Sequence, residues 1–184
     1  MKIKEIKCYE FNELSDEAKE KAIENFTHDM EYFDSNEALE SIKQGLRYFD
    51  ASLDDYSIYW LNANASHFKI SINEEIGLLS FVRLWKYINQ NYHNYYCKYD
   101  KKIKPLLSGS CPFTGVYFDE EFLDEIREFM NKPDHRTFKD LLYNAVQNVL
   151  QAAERQFKHQ QSEEYLSEYF DSNGYEFDEY GNML

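Results

Sequence analysis

The segment from Phe138 to Phe157 constrains this chain more than any other. Phe138, Leu141, Leu142, Ala145, Val146, Val149, Leu150, Ala153 and Phe157 recur at intervals of one, three or four residues. That spacing lines them along one stripe of an α-helix about five turns long, the spine of a domain. A spine with such a face is stable only when other elements cover it, so the rest of the chain must supply apolar faces of its own.

Those faces are legible on both sides of the spine. Residues 2–11 alternate as a strand, with Ile6, Cys8 and Glu10 on one side and Lys7, Tyr9 and Phe11 on the other. Ser15 is placed to cap a helix whose first turn carries Asp16 and Glu17 and whose stripe is Leu14, Ala18, Ala22, Ile23, Phe26 and Met30. A second helix from about Ser35 presents Leu39, Ile42, Leu46 and Phe49. Two period-two segments, Tyr56 to Leu61 and Phe68 to Ile72, flank the polar NANAS and predict a β-hairpin. Leu78, Val82, Trp85 and Ile88 have helical spacing. A Tyr-rich, locally basic stretch at 92–104 follows, and the Pro- and Gly-bearing segment after it reads as a loop around one short extended piece.

Asp119 is placed to cap a helix whose inward residues are Phe122, Leu123, Ile126, Phe129 and Met130. After the spine, a short helix closed by Gly174 leads to a hairpin around Gly181 and Asn182. The expectation is one α+β domain over residues 1–184. It combines an N-terminal strand, a β-hairpin and a short C-terminal hairpin with five to six helices, the long one near 137–158.

Of the 184 residues, 43% are hydrophobic and 17% aromatic, which excludes a disordered chain. Cys8, Cys97 and Cys111 are three widely spaced cysteines without a CxxC pair, the pattern of reduced thiols in a reducing compartment. The amino-terminal MKIKEIKCYEF lacks the continuous apolar run of a signal peptide, so a cytosolic location without membrane insertion is expected.

Charge is the informative extreme. Thirty-four acids against 20 bases give a net charge of −14. Such a protein repels nucleic acid and anionic lipid at long range, so its partners should be basic. The acids form two clusters. One is Glu163, Glu164, Glu168, Asp171, Glu176, Asp178 and Glu179, in a tail that holds no Lys or Arg after Lys158. The other is Asp119, Glu120, Glu121, Asp124, Glu125 and Glu128, with Arg127 among them. Carboxylates four residues apart on a helix stand about 6 Å apart along its axis, so rows of them approach the charge density of a nucleic-acid backbone. A solvated surface that merely keeps the chain soluble is the alternative reading. Tyr165, Tyr169, Tyr175 and Tyr180 lie among the tail acids and are candidate anchors inside an acidic rim. Leu166, Phe170 and Phe177, by contrast, read as packing on the long helix.

Little else points to chemistry. His28, His67, His93, His135 and His159 form no HExxH and no i,i+4 pair, and no GxSxG, P-loop or GxGxxG occurs. Cys111 has no evident base. No catalytic residue, metal site or cofactor is expected, and a binding protein is the natural class.

The two ends carry a resemblance. YEFNELSDEAKEKAIENF at 9–26 resembles the opening of a family of small acidic proteins encoded by phages and plasmids of Gram-positive bacteria, a strand followed by F-x-E-L-S-x-x-A-x-x-x-A. NGYEFDEYGNM at 173–183 is similar to that family's closing hairpin. Some members carry an antitoxin label, and small acidic phage proteins of this kind include type II-A anti-CRISPR inhibitors. The resemblance implies an anti-defence inhibitor that binds a type II CRISPR effector nuclease in the host cytosol, filling its basic nucleic-acid channels and facing the arginines that read the PAM. An antitoxin that neutralises a basic toxin is the alternative. A ribonuclease acting on guide RNA through His67, His93 or His135 is a third reading, from a different class. Oligomeric state is open.

Overall fold

The computed structural model describes residues 7–29, 35–92 and 111–184. Among them are seven α-helices and one two-stranded antiparallel sheet, an α+β fold. In chain order they are α1 (Asp16–Asp29), α2 (Ser35–Tyr48), β1 (Ser52–Ser57), β2 (His67–Ser71), α3 (Glu74–Gly77), α4 (Phe81–Asn91), α5 (Phe118–Asn131), α6 (Phe138–Gln160) and α7 (Glu163–Asn173). The long helix, the capped first helix and the Gly174 terminus form as expected. The chain divides into two compact units, residues 34–155 and, from the two ends together, 1–33 with 156–184.

In the larger unit the apolar stripe of α6 is fully covered, from Phe138 to Ala153. Thr137 and Asp140 cap its start reciprocally: Asp140 N–H donates to Thr137 Oγ1 at 3.2 Å, and Thr137 N–H to an Asp140 carboxylate oxygen at 2.9 Å. The faces of α2 and α5 meet where Gly45 lies against Phe122. A Cβ at Gly45 would stand 3.0 Å from that ring, so the bare glycine sets how closely the two helices approach. Phe49 at the end of α2 packs edge-on against Phe138, with centroids 5.9 Å apart. The Trp85 indole N–H donates to the Met130 carbonyl at 3.1 Å, tying α4 to α5.

Three expectations for this unit change. The first hairpin strand runs Ser52–Ser57 rather than Tyr56 to Leu61, pairing Leu53 with Ile70 and Asp54 with Lys69. An extra residue bulges between Asp54 and Ser57, and Asp55 there takes a positive φ of 44°. The buried face of α4 is Leu84 and Ile88, continued by Tyr92, while Leu78 and Val82 are exposed and Trp85 is half-buried. In α2 the inward set includes Ala38, Ser41 and Gly45, with Leu39 at the margin. Residues 93–110, and with them most of the basic stretch and the loop, lie outside the described residues, as do residues 1–6 of the first strand.

The smaller unit has a core of its own. Phe11, Leu14, Ala18 and Ala22 pack with Leu166, Phe170 and Phe177. Leu166, Phe170 and Phe177 thus pack with residues of α1 and of the turn before it, partners that the sequence did not predict. The chain ends close on each other through isolated bridges: Tyr9 pairs with Phe177, each N–H reaching the other's carbonyl at 2.9 Å, and Phe177 also bridges Met183. Of the expected N-terminal strand, this pairing at Tyr9 is the described portion.

Candidate functional site

The acids of α5 are mostly spent inside the larger unit. Asp119 is fully buried and does not cap α5, whose preceding residue is Tyr117. Its carboxylate accepts the backbone N–H groups of Phe113, Thr114 and Gly115 at 2.7–3.2 Å, and the Thr114 hydroxyl at 2.9 Å. It holds the 113–115 loop in place and is withdrawn from any docking surface. Glu125 is also buried: one of its oxygens accepts from Arg136 at 2.6 Å and from Asn144 at 2.8 Å. Glu121 pairs with Arg155 at 3.6 Å and Asp124 with Arg127 at 2.8 Å. Burial raises the Glu121 carboxyl above its ordinary value. Among the described residues Glu120 and Glu128 of this cluster show no such partner, and Glu120 is half-buried.

The tail acids stand differently. Ser162 caps α7 by accepting from the Tyr165 N–H at 3.3 Å, and Gly174 ends it at φ 67°. The helix so fixed exposes Glu163, Glu164, Glu168 and Asp171. Glu164, Glu168 and Asp171 fall on one stripe by their i, i+4, i+7 spacing. Glu176 and Glu179 are exposed beyond it, and among the described residues none of these six acids forms an ion pair. Asp171 accepts from the Asn12 amide at 2.9 Å, and Asn12 in turn accepts from Ser167 at 3.1 Å, which pins the amino-terminal turn to the acidic face. Asp178 is half-buried and builds the terminal turn. The Asn182 side chain first, then the backbone N–H groups of Asn182 and Tyr180, hold its carboxyl below the ordinary range.

The tyrosines divide. Tyr165, Tyr169 and Tyr175 form a half-buried ladder against the core, with ring centroids 6.3 and 5.9 Å apart, and Phe26 closes on Tyr169 at 5.5 Å. A hydrogen bond with Tyr175 raises the Tyr169 phenol. Tyr180 is 63% exposed, the one of the four that stands free of the core. Beside the ladder lies a hollow of about 310 Å³ lined by Glu10, Phe170, Asp171, Gly174, Tyr175 and Glu176. Its chemistry, three carboxylates around aromatic ring surface, suits a Lys or Arg side chain. Glu10 was not singled out by sequence reasoning. It belongs to the opening segment, and the pairing of Tyr9 with Phe177 and of Asn12 with Asp171 brings it to the tail.

His67 lines a cleft in the larger unit, His135 is exposed, His159 packs on Tyr165 at 5.4 Å, and His93 lies outside the described residues. Among the described residues no group of three or more His, Cys, Asp or Glu is placed to hold a metal ion, and no helix is long and apolar enough to cross a membrane.

Compared with known proteins, the chain matches no family model, no curated protein and no solved structure.

Proposed function

We propose that the protein is a non-enzymatic binding module, an anti-defence inhibitor carried by a phage or other mobile element. In this reading it acts in the bacterial cytosol, occupying the basic nucleic-acid channel of an RNA-guided type II nuclease with the carboxylate face of its smaller unit.

The observation that carries this reading is the partition of charge. Residues 1–33 and 156–184 contain 16 acids and six Lys or Arg, a net −10 of the chain's −14. Among the described residues the exposed acids of the tail form no ion pair, whereas Asp119, Glu121, Asp124 and Glu125 of α5 are engaged by the 113–115 loop, by Arg136 and by surface arginines. Axial spacings of about 6 and 4.5 Å between Glu164, Glu168 and Asp171 are of the order of the 3.4 Å phosphate repeat along one strand. Lys and Arg side chains arranged for phosphates would find acceptors there, and Tyr180 would add an aromatic contact at the rim. The two terminal segments that resemble the phage family are the ones that build this unit, which supports the same reading.

The test is inhibition of a type II nuclease loaded with guide RNA, with Glu163, Glu164, Glu168 and Glu176 changed together to Gln. Inhibition should fall steeply, and it should weaken with added salt in the wild-type protein. Glu120→Gln with Glu128→Gln should leave it unchanged. Full inhibition by the quadruple variant overturns the mimicry. Affinity capture that recovers a small basic toxin in place of a ribonucleoprotein replaces the nuclease by the antitoxin reading.

A further inference from the structure

A second site lies in the larger unit, remote in chemistry from the acidic face. Between α6 and the turn that leads into β2 is an open cleft of about 560 Å³, lined by Asn64, Ser66, His67, Glu125, Tyr143, Asn144, Gln147, Asn148 and Gln151. Five of the nine are carboxamides. Four of those, Asn144, Gln147, Asn148 and Gln151, follow i, i+3, i+4, i+7 along one stripe of α6, immediately beside the stripe that builds the core.

Two features show that this lining is organised. Asn144 is held by the buried Glu125, which is itself held by Arg136, so an ion pair inside the unit fixes the orientation of an amide at the cleft wall. That engagement uses one Asn144 N–H and leaves its carbonyl oxygen and second N–H unspent. Asn148 and Gln151, by contrast, make no side-chain hydrogen bond among the described residues, although Asn148 is half-buried. Donors and acceptors are therefore presented together, and the one carboxylate in the lining is already neutralised by Arg136.

We propose that this cleft binds a neutral, polyhydroxylated ligand, a sugar of one or two rings. A carboxamide donates and accepts at once, which matches vicinal hydroxyls that do the same. The mainly polar wall disfavours the apolar ligands that most pockets of this size take. The absence of uncompensated Lys or Arg in the lining, on a chain of net charge −14, disfavours phosphorylated or acidic ligands. Tyr143, 45% exposed and stacked on Phe68 with centroids 4.6 Å apart, offers a braced ring at the edge of the cleft. The inference does not depend on the function proposed for the smaller unit.

The experiment is a titration of the full-length protein followed through its side-chain amide NMR signals. The probes are D-glucose, N-acetyl-D-glucosamine and maltose, with adenosine as a neutral ligand whose base edge also pairs with amides. At least one sugar should move the Asn144, Gln147, Asn148 and Gln151 signals saturably and with little dependence on salt. Asn148→Ala with Gln151→Ala, which removes two side chains that form no hydrogen bond among the described residues, should weaken that binding about tenfold or more while the melting temperature holds. No saturable shift with any of the three sugars overturns the proposal. So does a response to adenosine alone, or binding that the double variant leaves intact.

Discussion

Gly181 sits directly against the carbonyl of Ala18 in α1, so closely that a Cβ at 181 would fall on that oxygen, and its backbone has a φ of 78°. Glycine is required there twice, by space and by conformation. The contact closes the C-terminal turn onto the first helix, in the body that carries most of the charge. Gly181→Ala should lower stability by roughly 1–3 kcal/mol, read as a fall in the urea midpoint at unchanged m-value. Gly115→Ala is the matched control: its φ of 87° carries conformational strain, but nothing lies within 4 Å of the new Cβ. The 181 variant should be the less stable of the two, and equal losses would remove the steric argument.

Asp119 should matter for stability and not for docking. Removing its carboxylate in Asp119→Ala leaves three backbone N–H groups and the Thr114 hydroxyl without their acceptor in a buried setting. The expected cost is about 3 kcal/mol or more, because hydrogen bonds to an ionised acceptor are the stronger kind. Glu128→Gln, at an exposed position of the same helix, should stay within about 0.5 kcal/mol. Thermal melts of the two variants check this, and a similar midpoint for both would mean that the 113–115 loop does not depend on Asp119.

Asp119 also shows where sequence reasoning stops. An acid at the start of a helix reads as a first-turn residue in water, and its burial comes from a loop folding back over it, which no local pattern records. The α6 stripe was legible because apolar and polar positions alternate there with a clear helical phase. Around α4 the run LLSFVRLW is apolar at almost every position. Periodicity therefore has no phase to report, and the buried face proved to be Leu84 and Ile88. The polar SLDDYS gave no alternation to mark β1, and pairing with β2 decided its place. The acidic face was legible in composition. Its division between spent and unspent carboxylates depends on partners such as Arg136 and Arg155, and the carboxamide cleft joins Asn64 to Asn148 across an intervening stretch that no motif spans.

The terminal turn should respond to pH through Asp178. Its carboxyl is held below the ordinary value, chiefly by the Asn182 side chain. A group depressed in the folded state contributes stability that is present above its unfolded value near pH 4 and is lost as pH falls through the lower folded value. Asn182→Ala should raise the Asp178 titration midpoint toward that ordinary value. The stability gap between wild type and variant should be full near neutrality and shrink in acid. Carboxyl NMR titration and urea midpoints at several pH values read both effects, and a gap that does not change with pH would overturn the assignment.

Cys8 and Glu176 meet in the same unit, and their contact should be visible in thiol chemistry. The Cys8 thiol is raised above its ordinary value, first by desolvation, then by the charge of Glu176 and a hydrogen bond to its carboxylate. Alkylation proceeds through the thiolate, so the exposed Cys8 should react more slowly at pH 8 than its exposure alone suggests. In a Cys97→Ser, Cys111→Ser background, Glu176→Gln should increase the iodoacetamide rate by about twofold or more and shift its pH profile downward. The remaining slowness relative to the urea-unfolded chain reports the desolvation that the substitution leaves in place. If rate and profile are the same with Gln at 176, the carboxylate does not act on the thiol, and Glu176 is free to face a partner without the restraint of that hydrogen bond.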